Sequence, residues 1–238
     1  MKTFLALLVI STISAGLIWV ALSGDRPTAA PPAPGVTASA TATATVTSSP
    51  QAEPAPDPVR LAVRPPAAVA EYDRGAFGQA WSDDVTVAGG HNGCDTRNDI
   101  LRRDLIDPQI RPGTFGCLVE SGELEDPYTG QLVHFERGDR EVEIDHVVAL
   151  ADAWRSGAAA WTPERRRDFA NDPRNLLATA AQVNQDKGAD TASEWLPPAA
   201  DFRCDYVRTR VEVKRAYGLT VTQAEHDALA AVLAGCPD

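Results

Sequence analysis

A carboxylate, an imidazole and two carboxamides occur near one another in the second half of the sequence. Asp145 directly precedes His146, and Asn175 and Asn184 follow farther along. Asp and Asn oxygens suit a hard cation such as Mg²⁺, and a neutral histidine nitrogen suits a base. Phosphodiester hydrolysis needs both, because a base must take a proton from water and a cation must stabilise charge on the phosphate. Considered one at a time, these residues have ordinary explanations. The Asp-His pair could be a hydrogen-bonded surface pair, Asn175 a turn or cap residue, and Asn184 a solvated helix position.

The local elements predicted around these residues would bring them together. Residues 141–145 alternate as a strand that ends at the Asp-His pair, and residues 175–179 form a short strand that opens with Asn175. Residues 180–186 begin a helix that carries Asn184 and ends by Gly188. A strand, a second strand and a helix in this order predict a single site.

Another predicted strand, residues 131–135, follows a Pro- and Gly-containing turn at residues 126–130. A turn at residues 137–139 leads from it to residues 141–145, and we expect these two strands to form a short antiparallel hairpin. Apolar spacing predicts helices elsewhere, with Thr162 and Pro163 favouring a capped start for one of them. These helices cover residues 72–81, 95–105, 148–155, 163–170, 202–217 and 222–233. The predicted fold class is α+β, with few strands and many helices.

Three motifs resemble those of the HNH, or ββα-metal, nucleases. They are Asp145-His146-Val147, Asn175-Leu176-Leu177 and Asn184-x-x-Lys187-Gly188. The nearest branch is identified as exported bacterial proteins related to the C-terminal nuclease domain of GmrSD-type restriction endonucleases. The similarity continues through Cys94-Asp95-Thr96-Arg97, Asp126-Pro127-Tyr128 and Trp195-Leu196-Pro197-Pro198 to Cys204-x-Tyr206. It implies a ββα-metal (HNH) core surrounded by helices, and an endonuclease that cuts nucleic acid, with DNA as the expected substrate.

The resemblance also implies a role for each matching residue. His146 would be the general base, and Asp145 and Asn184 would bind one divalent metal ion. Mg²⁺ is the expected ion, Mn²⁺ the alternative and Zn²⁺ the less favoured one. Asn175 would hold the loop between strand and helix and help to orient His146. For Lys187 we predict a phosphate contact, with helix capping as the alternative.

The N-terminal third predicts export rather than a fold. Lys2 precedes an uncharged apolar run of 19 residues from Phe4 to Leu22, and Ala21-Leu22-Ser23 offers a cleavage site. Residues 1–23 are therefore a signal peptide or, since the run is just long enough to span a bilayer, an N-terminal membrane anchor. Residues 24–68 are predicted to be a disordered Ala/Pro/Thr/Ser linker, and residues 69–238 one globular domain. The protein would be secreted or extracytoplasmic, with membrane contact confined to its N-terminus and no protein partner inferred.

All four cysteines, Cys94, Cys117, Cys204 and Cys236, fall in the predicted domain. An even number in an exported chain favours disulfides, and four cysteines allow three pairings. We favour the two local pairs, Cys94–Cys117 and Cys204–Cys236. The competing interpretation, a structural zinc site, lacks any C-x-x-C pair.

The charge balance weighs against nucleic acid as a partner. Beyond residue 68 the chain keeps 18 of its 22 basic and 30 of its 33 acidic residues, a net charge of −12. Because phosphate contacts supply most non-specific affinity, we expect weak and strongly salt-dependent DNA binding. A local basic patch near the motifs would offset this charge, and a solvated helix face is the alternative for the same residues. They are Arg155, Arg165, Arg166, Arg167, Arg174 and Lys187.

Two other functions remain open at this stage. An envelope hydrolase would suit an exported chain with a long linker, although neither an H-E-x-x-H nor a G-x-S-x-G motif occurs. A non-catalytic binding module on an HNH-like fold is the second alternative. A preference for Mg²⁺ or Mn²⁺ over Zn²⁺ would distinguish a nuclease from the envelope hydrolase. Divalent-metal binding at the site would distinguish it from the binding module.

Overall fold

The computed structural model describes residues 57–65 and 71–237, so the predicted signal or anchor lies outside the described residues. Part of the predicted linker is ordered, because residues 57–65 pack on the domain. Val59 is fully buried in a core cluster, and Val63 forms a parallel bridge with Val221. The folded part therefore begins before the predicted boundary at residue 69. None of the helices within the described ranges is long and apolar enough to cross a bilayer.

Within the described residues, five strands form two separate antiparallel sheets. The first sheet contains β1 (Ile106–Ile110), β2 (Val119–Glu125) and β3 (Leu132–Glu136), in that order. The second pairs β4 (Val142–His146) with β5 (Leu176–Ala180). The helices are α1 (Thr96–Asp104), α2 (Leu150–Arg155), α3 (Pro163–Asn171), α4 (Ala181–Lys187), α5 (Arg203–Tyr217) and α6 (Gln223–Leu233). Short 3₁₀ turns cover Arg74–Phe77, Ala158–Ala160, Pro173–Asn175 and Ala200–Phe202. The predicted α+β class is confirmed.

The predicted hairpin between residues 131–135 and 141–145 is wrong. β3 pairs with β2, and β4 pairs with β5. The turn that forms a hairpin is the one at residues 126–130, where Gly130 donates its N–H to the carbonyl of Asp126 and has a φ of +72°. Glycine adopts this left-handed conformation without steric cost, which allows the chain to reverse into β3. β2 was missed because its sequence, VESGELE, is mostly polar and contains a glycine.

The predicted helix at residues 72–81 is also wrong, because the chain forms only the 3₁₀ turn Arg74–Phe77. Phe77 is buried as expected of its apolar side chain, but Gly78 follows at a φ of +84° and ends the turn. Trp81 then adopts a φ of +57°. A non-glycine residue in this region carries a conformational cost that surrounding contacts must offset.

Helix starts follow the capping residues closely. The Asp95 side chain accepts from the N–H of Asn98 at the start of α1, and the Thr162 hydroxyl accepts from Arg165 with Pro163 in the first turn of α3. Such caps satisfy N–H groups that the first turn of a helix leaves unpaired. The ends predicted for α1, α3, α4, α5 and α6 agree with the structure to within one residue.

Both favoured disulfides are present. Cys94–Cys117 joins the segment before α1 to the β1–β2 connection, and Cys204–Cys236 joins the start of α5 to the end of α6. Their Cα atoms are 5.2 Å and 5.7 Å apart, distances that a disulfide spans without backbone movement. Since all four cysteines are paired, the zinc alternative is wrong.

Candidate active site

Three of the predicted site residues line one cleft. β4 and β5 lie antiparallel, with Asp145 opposite Leu177, and α4 begins directly after β5. Asp145 and His146 end β4, and Asn184 lies on α4. All three line a cleft of about 290 Å³. The strand–strand–helix order read from the sequence therefore brings them to the same place.

Asp145 has a hydrogen bond from inside the protein on each carboxylate oxygen. The hydroxyl of Tyr128 donates to Oδ2 at 2.6 Å, and the ammonium of Lys187 donates to Oδ1 at 2.9 Å. Burial raises the pKa of Asp145, and the adjacent Lys187 opposes that rise. Because a carboxylate oxygen has two lone pairs, one hydrogen bond does not exhaust the acceptor capacity of either oxygen.

His146 is held in one tautomer by a backbone carbonyl. Its Nε2 lies 2.8 Å from the carbonyl oxygen of Ala170, and a carbonyl can only accept, so Nε2 carries the proton. The lone pair is therefore on Nδ1. Burial lowers the pKa of His146 to about 4, which keeps the ring neutral near pH 7. The indole of Trp81 stacks on the imidazole with ring centroids 6.0 Å apart and 13° between the planes.

Asn184 makes its hydrogen bond to a residue that was not among the predicted site residues. Its Nδ2 donates to Oε2 of Glu143 at 2.7 Å, and Gln185 donates to the other oxygen of Glu143 at 3.2 Å. Glu143 and Asp145 are two residues apart on β4, and residues at this spacing share a face of a strand. Strand alternation was thus a signal in the sequence that could have identified Glu143.

Asn175 does not line the cleft, because it is fully buried. Its side chain accepts from the N–H of Val148 at 2.8 Å and donates to the carbonyl of Val148 at 3.2 Å. Its own carbonyl accepts from the N–H of Val147 at 2.8 Å. These bonds tie the backbone that follows His146 to the start of β5.

Lys187 is not placed to contact a phosphate. The residue is fully buried, and its ammonium donates to Asp145 and, at 2.9 Å, to the carbonyl of His146. A substrate in the cleft would have to displace this ion pair to reach it. The phosphate contact predicted for Lys187 is therefore corrected to a buried pair with Asp145, because the sequence alone did not reveal which way the lysine points.

A second set of buried charges, which we call the inner cluster, also contacts the loop after His146. Arg210 donates to the carbonyl of Val147 at 2.8 Å, to Asp152 at 2.7 Å and to Glu225 at 2.8 Å. Lys214 lies 3.1 Å from Asp152 and 2.8 Å from Glu225. Burial alone would raise the pKa of Asp152, but Lys214 and Arg210 outweigh it and lower the pKa. The four members of the cluster are Asp152, Arg210, Lys214 and Glu225.

The predicted basic patch does not form at the cleft. Arg165 and Arg166 donate to backbone carbonyls, Arg167 and Arg174 pair with aspartates, and Arg155 donates to the carbonyl of Ala189. None of these arginines lines the cleft. These arginines anchor loops and helices instead. They therefore form neither the basic patch nor the solvated helix face that the sequence suggested.

Arg74 is the cation that does line the cleft, and sequence reasoning missed it. It is exposed, and among the described residues that line the cleft it carries the one positive charge. It lies close enough to His146 to lower the pKa of the imidazole, after the larger effect of burial. The position of Arg74 depends on the 3₁₀ turn that replaces the predicted helix. The sequence around Arg74 did not indicate this turn.

The donor set of the cleft fits Mg²⁺ better than Zn²⁺. Mg²⁺ takes one or two carboxylates and completes its shell with water and substrate phosphates, so Asp145 with Asn184 is a sufficient protein contribution. Zinc sites use three or four protein ligands, usually Cys, His or carboxylate. Within residues 57–65 and 71–237, no group of three or more His, Cys, Asp or Glu side chains is arranged to hold a metal.

These features define a disulfide-braced α+β domain with an acid, a neutral imidazole and a carboxamide in one cleft. The family described as "GmrSD restriction endonucleases, C-terminal domain" matches residues 95–232, and the chain belongs to this family. It is also 39% identical over 178 residues to a protein of Arthroderma benhamiae named "Uncharacterized secreted protein", covering 74% of this chain and 81% of that protein. No solved structure matches the chain.

Proposed function

We propose that the protein is a metal-dependent HNH endonuclease that hydrolyses phosphodiester bonds of nucleic acid, with DNA as the expected substrate. One observation carries the proposal: the neutral His146 lines the same cleft as Asp145 and Asn184. The membership of a nuclease family supports it. A carboxylate and an amide beside an imidazole base match the needs of phosphodiester hydrolysis.

In this proposal Nδ1 of His146 takes a proton from water while the water oxygen attacks the phosphorus. The bond from phosphorus to the leaving oxygen breaks, and solvent supplies the proton for that oxygen. Asp145 and Asn184 would hold a divalent ion, which supplies stabilisation of the negative charge on the phosphate and the leaving oxygen. The hydrogen bond to Ala170 and the stacked Trp81 keep the imidazole in position for proton transfer.

Arg74 takes the phosphate contact that was first assigned to Lys187. Its guanidinium can form two parallel hydrogen bonds to phosphate oxygens, and its exposure lets it do so without breaking an ion pair. One arginine does not offset a domain charge of −12. We therefore expect weak substrate binding.

The proposed site of action is outside the cytoplasm. Two disulfides are typical of proteins that fold in an oxidising compartment, and the relative from Arthroderma benhamiae is named a secreted protein. The N-terminal apolar run supplies an export signal in this proposal. Because this relative is fungal, the bacterial branch suggested by the sequence stays a prediction.

The test is cleavage of plasmid and single-stranded DNA by the full oxidised chain, with Mg²⁺, Mn²⁺, Zn²⁺ or EDTA. We expect cutting with Mg²⁺ or Mn²⁺, none with EDTA, and a loss of at least about 100-fold in His146→Ala. His134→Ala is the matched control, because His134 is exposed on β3 and should leave cleavage unchanged. A folded wild-type protein that cuts under none of these conditions would overturn the proposal in favour of an envelope hydrolase or a binding module.

A further inference from the structure

The carboxylate of Glu143 restricts how Asn184 can present its side chain. An ionised carboxylate only accepts hydrogen bonds, and Oε2 of Glu143 lies 2.7 Å from the amide of Asn184. The NH₂ group of Asn184 must therefore face Glu143, which turns its carbonyl oxygen Oδ1 away. Within the described part of the chain, Oδ1 accepts no hydrogen bond.

Glu143 is itself held in place by a second donor. Gln185, the neighbour of Asn184 on α4, donates to Oε1 of Glu143 at 3.2 Å. The glutamate thus bridges two consecutive side chains of α4 from a position on β4 that shares a face with Asp145. The bridge aligns the helix that carries one proposed metal ligand with the strand that carries the other.

We infer that Glu143 is a positioning residue, which orients Asn184 so that Oδ1 rather than the NH₂ group faces the divalent cation. This inference rests on the proposed function, since it concerns the same cleft. An amide ligand binds a hard cation only through its oxygen, so a flipped Asn184 would present hydrogen atoms to the ion. Partners of this kind, which orient metal ligands, typically change metal affinity 10–100-fold when removed.

A simpler explanation is that Glu143 attracts the cation by its charge alone. The two explanations differ in how Glu143→Gln should act when Asn184 is also changed. If charge alone matters, Glu143→Gln weakens metal binding by a similar factor whether residue 184 is Asn or Asp. If orientation matters, Glu143→Gln weakens binding in the native background but strengthens it with Asn184→Asp, because the new amide donates to the new carboxylate and like charges no longer face each other.

The experiment is calorimetric titration of the full oxidised chain with MnCl₂. It compares wild type with Asn184→Ala, Glu143→Gln, Asn184→Asp and the double variant Glu143→Gln/Asn184→Asp. The control is Glu212→Gln, which removes an exposed carboxylate on α5. We expect Glu143→Gln to weaken Mn²⁺ binding about tenfold, and the double variant to bind more tightly than Asn184→Asp alone. Glu212→Gln should match wild type, and thermal melts without metal would establish that each variant is folded.

The outcomes separate this inference from the proposed function. A wild-type protein that binds no Mn²⁺ and cleaves nothing would overturn both. Wild-type binding that is lost in Asn184→Ala, but is unchanged by Glu143→Gln or weakened equally in both backgrounds, would overturn the orienting role and leave the nuclease proposal standing.

Discussion

Two groups of buried charges contact the backbone that follows His146, and they differ in composition and setting. The cleft pair consists of Asp145 and Lys187, and Asp145 lines the cleft. The inner cluster has two carboxylates and two cations, which pair with one another. Burial raises the pKa of Asp145 despite Lys187, whereas the two cations lower the pKa of Asp152.

This difference indicates how the fold divides stability from chemistry. In the inner cluster each carboxylate contacts both cations, so its negative charge is paired within the cluster. In the cleft pair one ammonium faces one carboxylate, and that carboxylate lines the same cleft as His146 and Asn184. We interpret the inner cluster as a structural support for the loop after His146, and the cleft pair as the acidic part of the proposed metal site.

The largest effect is expected from Arg210→Ala. Removing this guanidinium leaves Asp152 and Glu225 buried with one cation, and breaking a buried ion pair by removing one partner costs about 3–5 kcal/mol. Urea unfolding should show this loss, whereas Arg208→Ala, which removes a partly exposed arginine two residues earlier on α5, should cost less than about 1 kcal/mol.

Cleavage by Arg210→Ala under conditions where it is folded tests the division of roles. If the inner cluster is structural, folded Arg210→Ala should keep most of its cleavage rate per molecule. If folded Arg210→Ala has lost cleavage as completely as His146→Ala, the inner cluster takes part in the chemistry. The division between a structural inner cluster and a catalytic cleft would then be wrong.

Lys187→Met should have a somewhat smaller effect on stability, about 3 kcal/mol, and a distinctive response to metal. Without the ammonium, Asp145 is buried with only Tyr128 as a partner, and a divalent cation in the cleft can supply the missing positive charge. Added Mg²⁺ should therefore raise the melting temperature of Lys187→Met more than that of wild type. Lys214→Met in the inner cluster is the control, and added Mg²⁺ should raise its melting temperature no more than that of wild type. Equal increases in the melting temperatures of both variants would contradict the proposed difference between the cleft pair and the inner cluster.

The smallest effect concerns the pH dependence of stability without metal. His146 has a folded pKa of about 4, against about 6.5 in the unfolded chain, so the unfolded state binds the extra proton between these values. Stability should therefore fall as pH drops from 6.5 towards 4, with His146 accounting for about 2 kcal/mol at pH 5. Unfolding in EDTA at pH 7 and pH 5 measures this loss. The loss of unfolding free energy between pH 7 and pH 5 should be about 2 kcal/mol smaller in His146→Ala than in wild type. An identical loss in both proteins would mean that His146 does not titrate as described.

Much of the local structure could be predicted because its causes are local. Thr162 and Pro163 mark the start of α3 through groups within one turn, and the alternation of residues 141–145 predicts β4. The order of Asp145, His146 and Asn184 on a strand and a helix was sufficient to predict that they share a site. The metal, the substrate and the catalytic roles of these residues remain predictions.

The errors share a different cause, which is that they depend on partners distant in the sequence. β4 pairs with β5, which begins only at Leu176, and residues 131–135 pair with β2 instead. Trp81 leaves a helical path and stacks on His146, which lies far along the chain. From the sequence alone, the side chain of Lys187 could point to solvent or into the protein. It points inward because the buried carboxylate of Asp145 pairs with its ammonium.

The sequence by itself indicated the favoured cysteine pairs, the capped helices and the residue types of the proposed active site, because these follow from composition and short spacing. Only the tertiary structure decided that Lys187 is buried, that Arg74 lines the cleft and that Glu143 faces Asn184. The physical reason is that a charged side chain buried on one face of a helix requires a partner, and that partner is supplied by a strand or loop from elsewhere in the chain.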